Sequence, residues 1–290
     1  MEFKHFVITL FNLKLWKKDK QNHSTQTAEW LATRFRLFET YCLPSVKAQT
    51  CPDFIWLVLF DEDTPACYRG RIEAYAADVP QFRACFYSAD EAADFLHADD
   101  ERNCRFIRRT VASLLEPGDR YVLTTNVDND DAIHCGMVEA LQRHFRANPR
   151  EVLYSMNWGL QYFPKWDGVL RMRYPHNHFL SLAERTGQDF RTVMFYGHAN
   201  ARKRLPTVDL FERPYWMEVV HACNVNNELR VTTRIRYKAY WKSFSLADYG
   251  LSVHIPMRTN LTNAVCRFPV YFARVAVVRL AKKLRKYLAG

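Results

Sequence analysis

Hydrophobic runs and helical patterns alternate along the first half of the chain. Apolar residues recur at helical spacing from about Thr27, after Thr64-Pro65 and over 102–116. The apolar runs between them are rich in β-branched and aromatic residues, have the length of buried strands, and cover 6–11, 54–60, 82–87 and 121–127. We therefore predict an α/β fold with a mostly parallel central sheet flanked by helices.

Local signals predict where these helices begin and end. Thr64 is the predicted N-cap of the second helix, with Pro65 at its first helical position. Pro44 is expected to end or kink the first helix, because proline lacks the N–H donor that a continuing helix needs.

The second half of the chain has a less regular pattern. We predict a strand at 151–156, a hairpin or loop at 158–174, a short strand at 194–198 and an apolar segment at 214–220. No obvious linker interrupts the chain, which predicts one domain in three parts: a regular half at 1–150, an irregular half at 151–252 and a basic C-terminal extension at 253–290.

The predicted strand at 121–127 ends in an acidic cluster. Asp128, Asp130 and Asp131 follow it directly, and carboxylates this close repel one another unless a cation lies among them. Behind them, apolar residues at every fourth position predict a helix that starts at the acids: Ile133, Met137, Leu141 and Phe145. Open α/β sheets bind ligands at the carboxyl ends of their strands. We therefore predict that the three aspartates hold Mg²⁺ or Mn²⁺, whose preferred ligands are oxygens.

Two other interpretations of the acidic cluster are weaker. An acidic helix N-terminus is favoured by the helix dipole, but one carboxylate would satisfy it. An EF-hand is excluded, because Ile133 and Ala132 stand where the calcium loop needs glycine and an oxygen ligand.

Two further residues are candidates for contact with a nucleotide cofactor. Asp61 ends the predicted strand at 54–60 and could accept hydrogen bonds from a base or ribose, although an acidic loop before a helix has the same pattern. The chain contains no glycine-rich phosphate loop. A diphosphate would therefore depend on a metal at Asp128 and its neighbours, helped by a basic side chain, for which Arg109 is the candidate.

His221 and Glu218 follow the apolar segment near 214–220. His221 could complete a metal site, although a lone histidine is more often a packing or loop residue. Glu218 is the candidate general base for deprotonating an acceptor. Three histidines in the polar second half carry no predicted role: His176, His178 and His198.

Charge and cysteine content narrow the class of protein. The net charge is +10 and the pI about 9.2, which predicts an anionic partner such as nucleotide phosphates or anionic lipid. The eight cysteines are scattered without metal-site spacing, which favours free thiols in a reducing compartment. With no secretory signal and no run approaching the length of a membrane span, a cytoplasmic location is predicted.

The end of the chain is a basic amphipathic helix. Residues 267–290 contain seven basic residues and no acid. At helical spacing most of the bases share one face and most of the apolar residues the other. This pattern predicts a helix that lies on an anionic membrane, and a helix packed on the domain is the alternative. Nucleic acid is less favoured, because no recognition motif accompanies the charge.

Four segments together resemble a known family. They read YCLPSVKAQT at 41–50, FIWLVLFDEDTP at 54–65, TTNVDNDDAI at 124–133 and PYWMEVVH at 214–221. Their order is similar to that of the putative rhamnosyltransferase family, over residues 3–240. Members of that family resemble GT-A fold glycosyltransferases, so the resemblance implies a GT-A-like α/β fold.

The resemblance also implies partners and residue roles. It implies a nucleotide-sugar donor bound by 1–150, a saccharide or lipid-linked glycan acceptor bound by 151–252, and a divalent cation. Asp128 and Asp130 match the Asp-x-Asp positions and Asp131 extends them.

Two more positions match the family pattern, and one stretch departs from it. Asp61 matches an acid that contacts the nucleotide, and His221 matches a late histidine of the metal shell. Ala222 and Cys223 stand where glycines are expected, so the backbone path there departs from the family pattern.

Two functions of other classes compete with glycosyl transfer. A metal-dependent nucleotidyl- or phosphotransferase could use the same acids, and a non-enzymatic protein could bind saccharide or a membrane surface. If the enzyme inverts the sugar, a carboxylate must deprotonate the acceptor hydroxyl, and Asp167 and Glu212 are candidates beside Glu218.

Overall fold

The computed structural model describes residues 3–15, 24–93, 95, 104–187, 189–221 and 235–288. The strands are β1 Phe3–Leu10, β2 Ile55–Asp61, β3 Phe82–Tyr87, β4 Tyr121–Asn126, β5 Ala132–Ile133, β6 Val152–Met156, β7 Trp158–Phe163, β8 Gly168–Arg173, β9 Leu180–Arg185, β10 Thr207–Leu210, β11 Trp216–Val219, β12 Arg236–Ala239, β13 Phe244–Ser245 and β14 His254–Ile255. The helices are α1 Ala28–Leu37, α2 Leu43–Lys47, α3 Ala66–Asp78, α4 Ala89–Ala93, α5 Arg105–Ser113, α6 Met137–Ala147, α7 His198–Arg204, α8 Met257–Thr262 and α9 Phe268–Leu288.

The central sheet is mostly parallel, which confirms the predicted α/β class. Its strand order is β10-β6-β9-β4-β1-β2-β3, and only β9 runs antiparallel to its neighbours. Because β1, β2 and β4 are parallel, their carboxyl ends lie at one edge. The antiparallel β9 begins at that same edge.

The central strand β1 is buried on both faces, as its continuous apolar sequence requires. Phe3 and Val7 belong to one hydrophobic cluster, and Phe6 and Ile8 belong to the other. Helices α1, α3 and α6 contribute to the first cluster and α5 to the second. The central sheet therefore lies between two hydrophobic layers, one for each cluster.

A second sheet carries the irregular half of the chain. Its order is β12-β8-β7-β11-β5, and β7 and β8 form the hairpin predicted for 158–174. Gly159 on β7 lies directly beneath the ring of Trp216 on β11, where a Cβ atom would overlap the indole. Strand β5 follows the acidic residues 128–131, so these residues connect the two sheets.

The helix behind the acidic residues starts later than predicted. Strand β5 and a turn separate Asp131 from α6, whose first residue is Met137. Ile133 pairs with Trp216 instead of joining the helix. The spacing from Ile133 to Met137 fits a helix, but pairing with β11 overrides it.

Three other local predictions need correction. Pro44 does not end the helical path, because residues 38–42 form a π-helical segment and Pro44 lies in the first turn of α2. Helix α3 begins at Ala66 with Pro65 as its N-cap, and the Thr64 hydroxyl donates to the Asp61 carbonyl at 2.6 Å instead. The strand predicted at 194–198 is wrong, since α7 begins at His198.

The C-terminal helix packs on the domain only at its start. The buried Phe268 ring contacts Phe163 and Trp166, with ring centroids 5.7 and 4.9 Å away. Further along α9, Val277 is 66% exposed and Leu284 is 52% exposed. The alternative of a helix packed on the domain is therefore correct for the first residues of α9, which we call its root. It is not correct for the exposed apolar residues Val277 and Leu284.

The stretch Met257–Val278 is also long and apolar enough to cross a membrane once, and little of it is buried in the protein. This corrects the expectation that no segment approaches a span. Asn, Thr and Arg residues interrupt the apolar run, but the stretch is apolar on average. Length and composition are the whole basis of that match, and a helix lying on a membrane surface satisfies both.

We expect Gly159→Ala to destabilise the protein by about 1–3 kcal/mol, because the added methyl group overlaps the Trp216 ring and forces a backbone shift. The matched control is Gly70→Ala within α3, where no atom lies within 4 Å of the added Cβ. That change should stabilise by about 0.5–1 kcal/mol. Urea unfolding of both variants measures the difference. Equal stabilities would contradict the close packing of β7 on β11.

Candidate active site

The candidate site lies at the edge where the parallel strands end. Asn129 anchors the acidic turn, residues 127–131, to the end of β1: its side-chain amide donates to the carbonyls of Leu10 at 3.0 Å and Phe11 at 2.6 Å. The Val127 amide donates to the Ile8 carbonyl. With the backbone held in this way, Asp130 points to one side of the turn, and Asp128 and Asp131 point to the other.

Asp130 lies on one side, between two basic side chains. Its Oδ2 accepts from Arg34 Nη1 and from His221 Nε2, each at 2.9 Å. Arg34 also contacts the side-chain oxygen of Asn129. Burial works to raise the pKa of Asp130, but the charges of Arg34 and His221 outweigh it and hold this pKa well below its ordinary value.

Asp131 and Asp128 lie on the other side, around His178. His178 Nε2 is 3.0 Å from Asp131 Oδ2 and 3.5 Å from Asp128 Oδ2. The second oxygen of Asp131 accepts from the Val219 amide at 2.9 Å, which ties the turn to β11. The Asp128 side chain is 46% exposed, whereas Asp131 is fully buried. Asp128 is therefore the exposed carboxylate of the turn.

The pKa values of this pair follow from burial and neighbouring charge. Burial and the charge of Asp130 raise the pKa of Asp131 to about 8. Burial works to lower the pKa of His178, but Asp128 and Asp131 outweigh it and raise it to about 9. Around neutral pH the pair retains a proton, which a metal ion would displace.

Glu218 is buried behind His178. Its Oε2 accepts from Gln161 at 2.7 Å, and its Oε1 lies 3.8 Å from His178 Nδ1. Only 1% of Glu218 is exposed, so its described contacts face the protein interior. The His198 ring, at the start of α7, is centred 6.2 Å from the His178 ring.

Asp61 lies at the end of β2 on the same edge, but its role in nucleotide binding stays a prediction. Its carboxylate is buried, lies 3.2 Å from Lys14 Nζ and accepts from the Asp63 amide. Lys14 also pairs with Asp63 at 2.6 Å. The structure thus brings a lysine to this end of the edge, beside the predicted acid.

The structure does not bring Arg109 to the acidic turn in any described contact. Its exposed guanidinium pairs with Glu91 at 2.8 Å. Its role in cofactor binding stays a prediction. Arg34, which is buried on α1, contacts the acidic turn instead.

The residues that sequence reasoning missed are Arg34 and His178. Arg34 had a signal, because it is a charged residue at the apolar positions of an amphipathic helix, where a buried ion pair is the usual explanation. His178 had only the local density of histidines, because its partners are 47 and 50 positions earlier in the chain. Residues 222–234, including Ala222 and Cys223, lie outside the described part of the chain, so the departure predicted there is not tested.

Two groups of side chains could hold a metal ion among the described residues. Asp128, Asp131 and His178 bring three ligand atoms within 4.8 Å of one another, and they lie at the predicted ligand-binding edge. His134, Cys135 and Asp248 form the second group. There, His134 Nδ1 already accepts from the Gly136 amide at 3.0 Å and Asp248 is exposed, which suits a structural role at the start of α6.

We expect Arg34→Met to lower the free energy of unfolding by about 3 kcal/mol or more at pH 7, because it leaves the buried Asp130 without its guanidinium partner. The folded-state pKa of Asp130 is depressed, so its charge adds stability above pH about 4 that is lost as pH falls. The deficit of the variant should therefore be full between pH 7 and pH 4 and shrink as the pH falls below about 4.

Urea unfolding in the presence of EDTA measures this effect. Arg36→Met is the matched control, since Arg36 is an exposed residue on the same helix. A comparable loss in the control, or a deficit that is independent of pH, would contradict the assigned ion pair.

Comparison with solved structures finds weakly similar chains at low sequence identity. S. aureus TarS 1-349 is 11% identical over 75% of this chain and 60% of its own, with a TM-score of 0.42. Its complex with UDP is 12% identical over 75% and 61%, with a TM-score of 0.37. A putative nucleotide-diphospho-sugar transferase from Desulfovibrio desulfuricans G20 is 8% identical over 77% and 84%, with a TM-score of 0.36. The chain thus spans about three-fifths of the TarS fragment.

Comparison with curated protein sequences finds no match. A family profile described as putative rhamnosyl transferase matches residues 9–233, which is most of the chain and includes the acidic turn, His178 and His221. The α/β sheet, the aspartates at its carboxyl edge and this match agree, and the chain belongs to the putative rhamnosyl transferase family.

Proposed function

We propose that this protein is a metal-dependent glycosyltransferase that moves a sugar, rhamnose by its family's name, from a nucleotide-sugar donor to a saccharide or lipid-linked glycan acceptor. The acidic turn carries the proposal. Three aspartates and two histidines converge there at the carboxyl edge of a mostly parallel sheet. Family membership supports nucleotide-sugar transfer as the reaction class.

A divalent cation fits the chemistry of this turn. Carboxylate oxygens and imidazole nitrogens are metal ligands, and the Asp131–His178 pair holds a proton that an ion would replace. The predicted ligands Asp128, Asp130, Asp131 and His221 all lie at the turn. When bound, Mn²⁺ or Mg²⁺ would neutralise the charge that develops on the departing nucleoside diphosphate.

The remaining residues at the edge suit the donor nucleotide. Asp61 offers an acceptor for a base or ribose at the end of β2, and Lys14 beside it offers a positive charge. Lys14 is 37% exposed and can turn toward a phosphate. Arg34 already neutralises Asp130. Asp128 is the exposed carboxylate of the turn.

The candidate bases for the acceptor hydroxyl have different surroundings. Glu212 is a poor base: burial opposes the shift, but Tyr215, His144 and Arg143 lower its pKa to about 2. The Asp167 carboxylate accepts from the Tyr162 hydroxyl at 2.9 Å. Glu218 faces His178 in the interior. Each of these assignments stays a prediction.

We expect Asp128→Asn to slow release of nucleoside diphosphate from a nucleotide sugar at least about tenfold, a barrier increase of about 1.4 kcal/mol. Asp128 is half exposed, so the variant should keep its fold. A UDP-sugar with Mn²⁺ is the first substrate to assay, because UDP is the nucleotide bound in the TarS complex.

The matched control is Asp78→Asn, an exposed aspartate at the end of α3 that pairs with Lys47. It should retain the wild-type rate. Full activity of Asp128→Asn would contradict the proposal. Release of pyrophosphate would instead favour a nucleotidyltransferase, and saccharide binding without turnover would favour a binding protein.

We also propose that α9 holds the enzyme peripherally at the inner, cytoplasmic face of a membrane. At helical spacing, Val270, Val277, Leu280 and Leu284 fall within one narrow stripe, and all four are exposed. Basic residues flank the stripe in the sequence, and Trp166 lines a groove with Arg267 and Arg274 at the root of the helix. Apolar residues beside bases and an interfacial tryptophan suit an anionic lipid surface.

We expect Val277→Asp with Leu284→Asp to abolish sedimentation with vesicles that contain anionic lipid, because the two carboxylates interrupt the apolar stripe and reduce the positive charge. Wild-type binding should weaken with added salt. Phe211→Asp is the control, an exposed apolar residue far from α9 in the sequence. Unchanged sedimentation of the double variant would refute the membrane contact of α9.

A further inference from the structure

We infer that the cation of the proposed glycosyltransferase is held by Asp128, Asp131 and His178. Glu218 is then a positioning residue that orients the imidazole from behind. The inference rests on the proposed function and goes beyond it, because it selects one side of the acidic turn and brings in His178, to which the family resemblance assigns no role.

The geometry of these three side chains suits one ion. A cation with ligand bonds of about 2.1 Å separates adjacent ligand atoms by about 3 Å. His178 Nε2 lies 3.0 Å from Asp131 Oδ2 and 3.5 Å from Asp128 Oδ2. An imidazole among the carboxylates also favours Mn²⁺ over the harder Mg²⁺.

Asp130 on the other side of the turn already has its cation. Its Oδ2 accepts from both Arg34 and His221, and a guanidinium does not lose its proton in a protein. An ion bound to the same oxygen would lie against that fixed positive charge. Like charges in a buried site are costly, so the ion is better placed beside Asp131.

Among the described residues, carboxyl groups outnumber basic groups on the side with His178. Asp128, Asp131 and Glu218 surround one histidine there. In the described ranges, no lysine or arginine forms an ion pair with Asp128 or Glu218. Buried carboxylates need a counter-charge, and a divalent cation would supply it.

Glu218 adds an independent observation. Its Oε2 accepts from Gln161, but over the described chain no hydrogen-bond donor reaches its Oε1, although Glu218 is 99% buried. That oxygen faces His178 Nδ1 at 3.8 Å. A metal-bound histidine usually donates its other ring N–H to a carboxylate, which fixes the ring and the tautomer. Glu218 occupies that place once His178 Nε2 binds the ion.

The test is Mn²⁺ binding by the full chain, followed through the electron paramagnetic resonance signal of free Mn²⁺, with and without UDP. His178→Ala should weaken binding at least about tenfold, and Glu218→Gln by about tenfold, the usual loss for such an outer-shell group. The control His254→Ala, an exposed histidine on β14, should bind as the wild type does.

A spectroscopic readout separates the two sides of the turn. Spin-echo modulation of bound Mn²⁺ should show a nitrogen coupling that is lost in His178→Ala and kept in His221→Ala. The reverse result would overturn the inference and leave the proposed function intact. If the wild type binds no Mn²⁺ in either condition, the metal-dependent function fails as well.

Thermal unfolding confirms that each variant is folded. If His178→Ala does not fold, Glu218→Gln decides the question, because it keeps the size of the side chain and removes its charge. Wild-type Mn²⁺ affinity in Glu218→Gln would overturn the positioning role.

Discussion

Three neighbouring aspartates can share one turn only if each carboxylate meets different surroundings. Asn129 holds the turn through its hydrogen bonds to the end of β1, and the neighbouring Asp130 and Asp131 turn to different partners. Asp130 turns to Arg34, Asp131 turns to His178, and Asp128 faces solvent. Without these separate partners, mutual repulsion would prevent the turn from closing onto the sheet. The fold at this edge depends on that distribution of charge.

The acidic turn joins the two sheets. It leaves the central sheet at β4 and enters the second sheet at β5, and the Asp131 carboxylate binds the backbone of β11. Glu218 and His221 come from β11 and the residues after it, while His178 precedes β9, which begins at this edge because it is antiparallel. Strand direction therefore brings together side chains that lie far apart in the sequence.

The C-terminal helix α9 packs against the domain only at its first residues. Its root packs through Phe268 against aromatic residues of the second sheet, which fixes where the helix leaves the domain. Beyond that root, its apolar side chains are exposed, and its segment of the sequence has bases but no acid. The proposed donor site on one part of the chain and the proposed membrane contact of α9 on another would suit transfer to an acceptor held at a lipid surface.

Sequence pattern alone determined the alternation of strands and helices in the first half, the acidic turn at a strand end and the basic character of α9. These are local properties: a buried parallel strand needs a continuous apolar run, and clustered acids need counter-charge wherever they lie. Tertiary structure decided that α6 starts after β5, because Ile133 pairs with Trp216. It also decided that Arg34 belongs to Asp130 and His178 to Asp131, across 96 and 47 positions of sequence. Those partners could not be read from spacing, because strand order and direction, not distance along the chain, determine which side chains meet at the edge of a sheet.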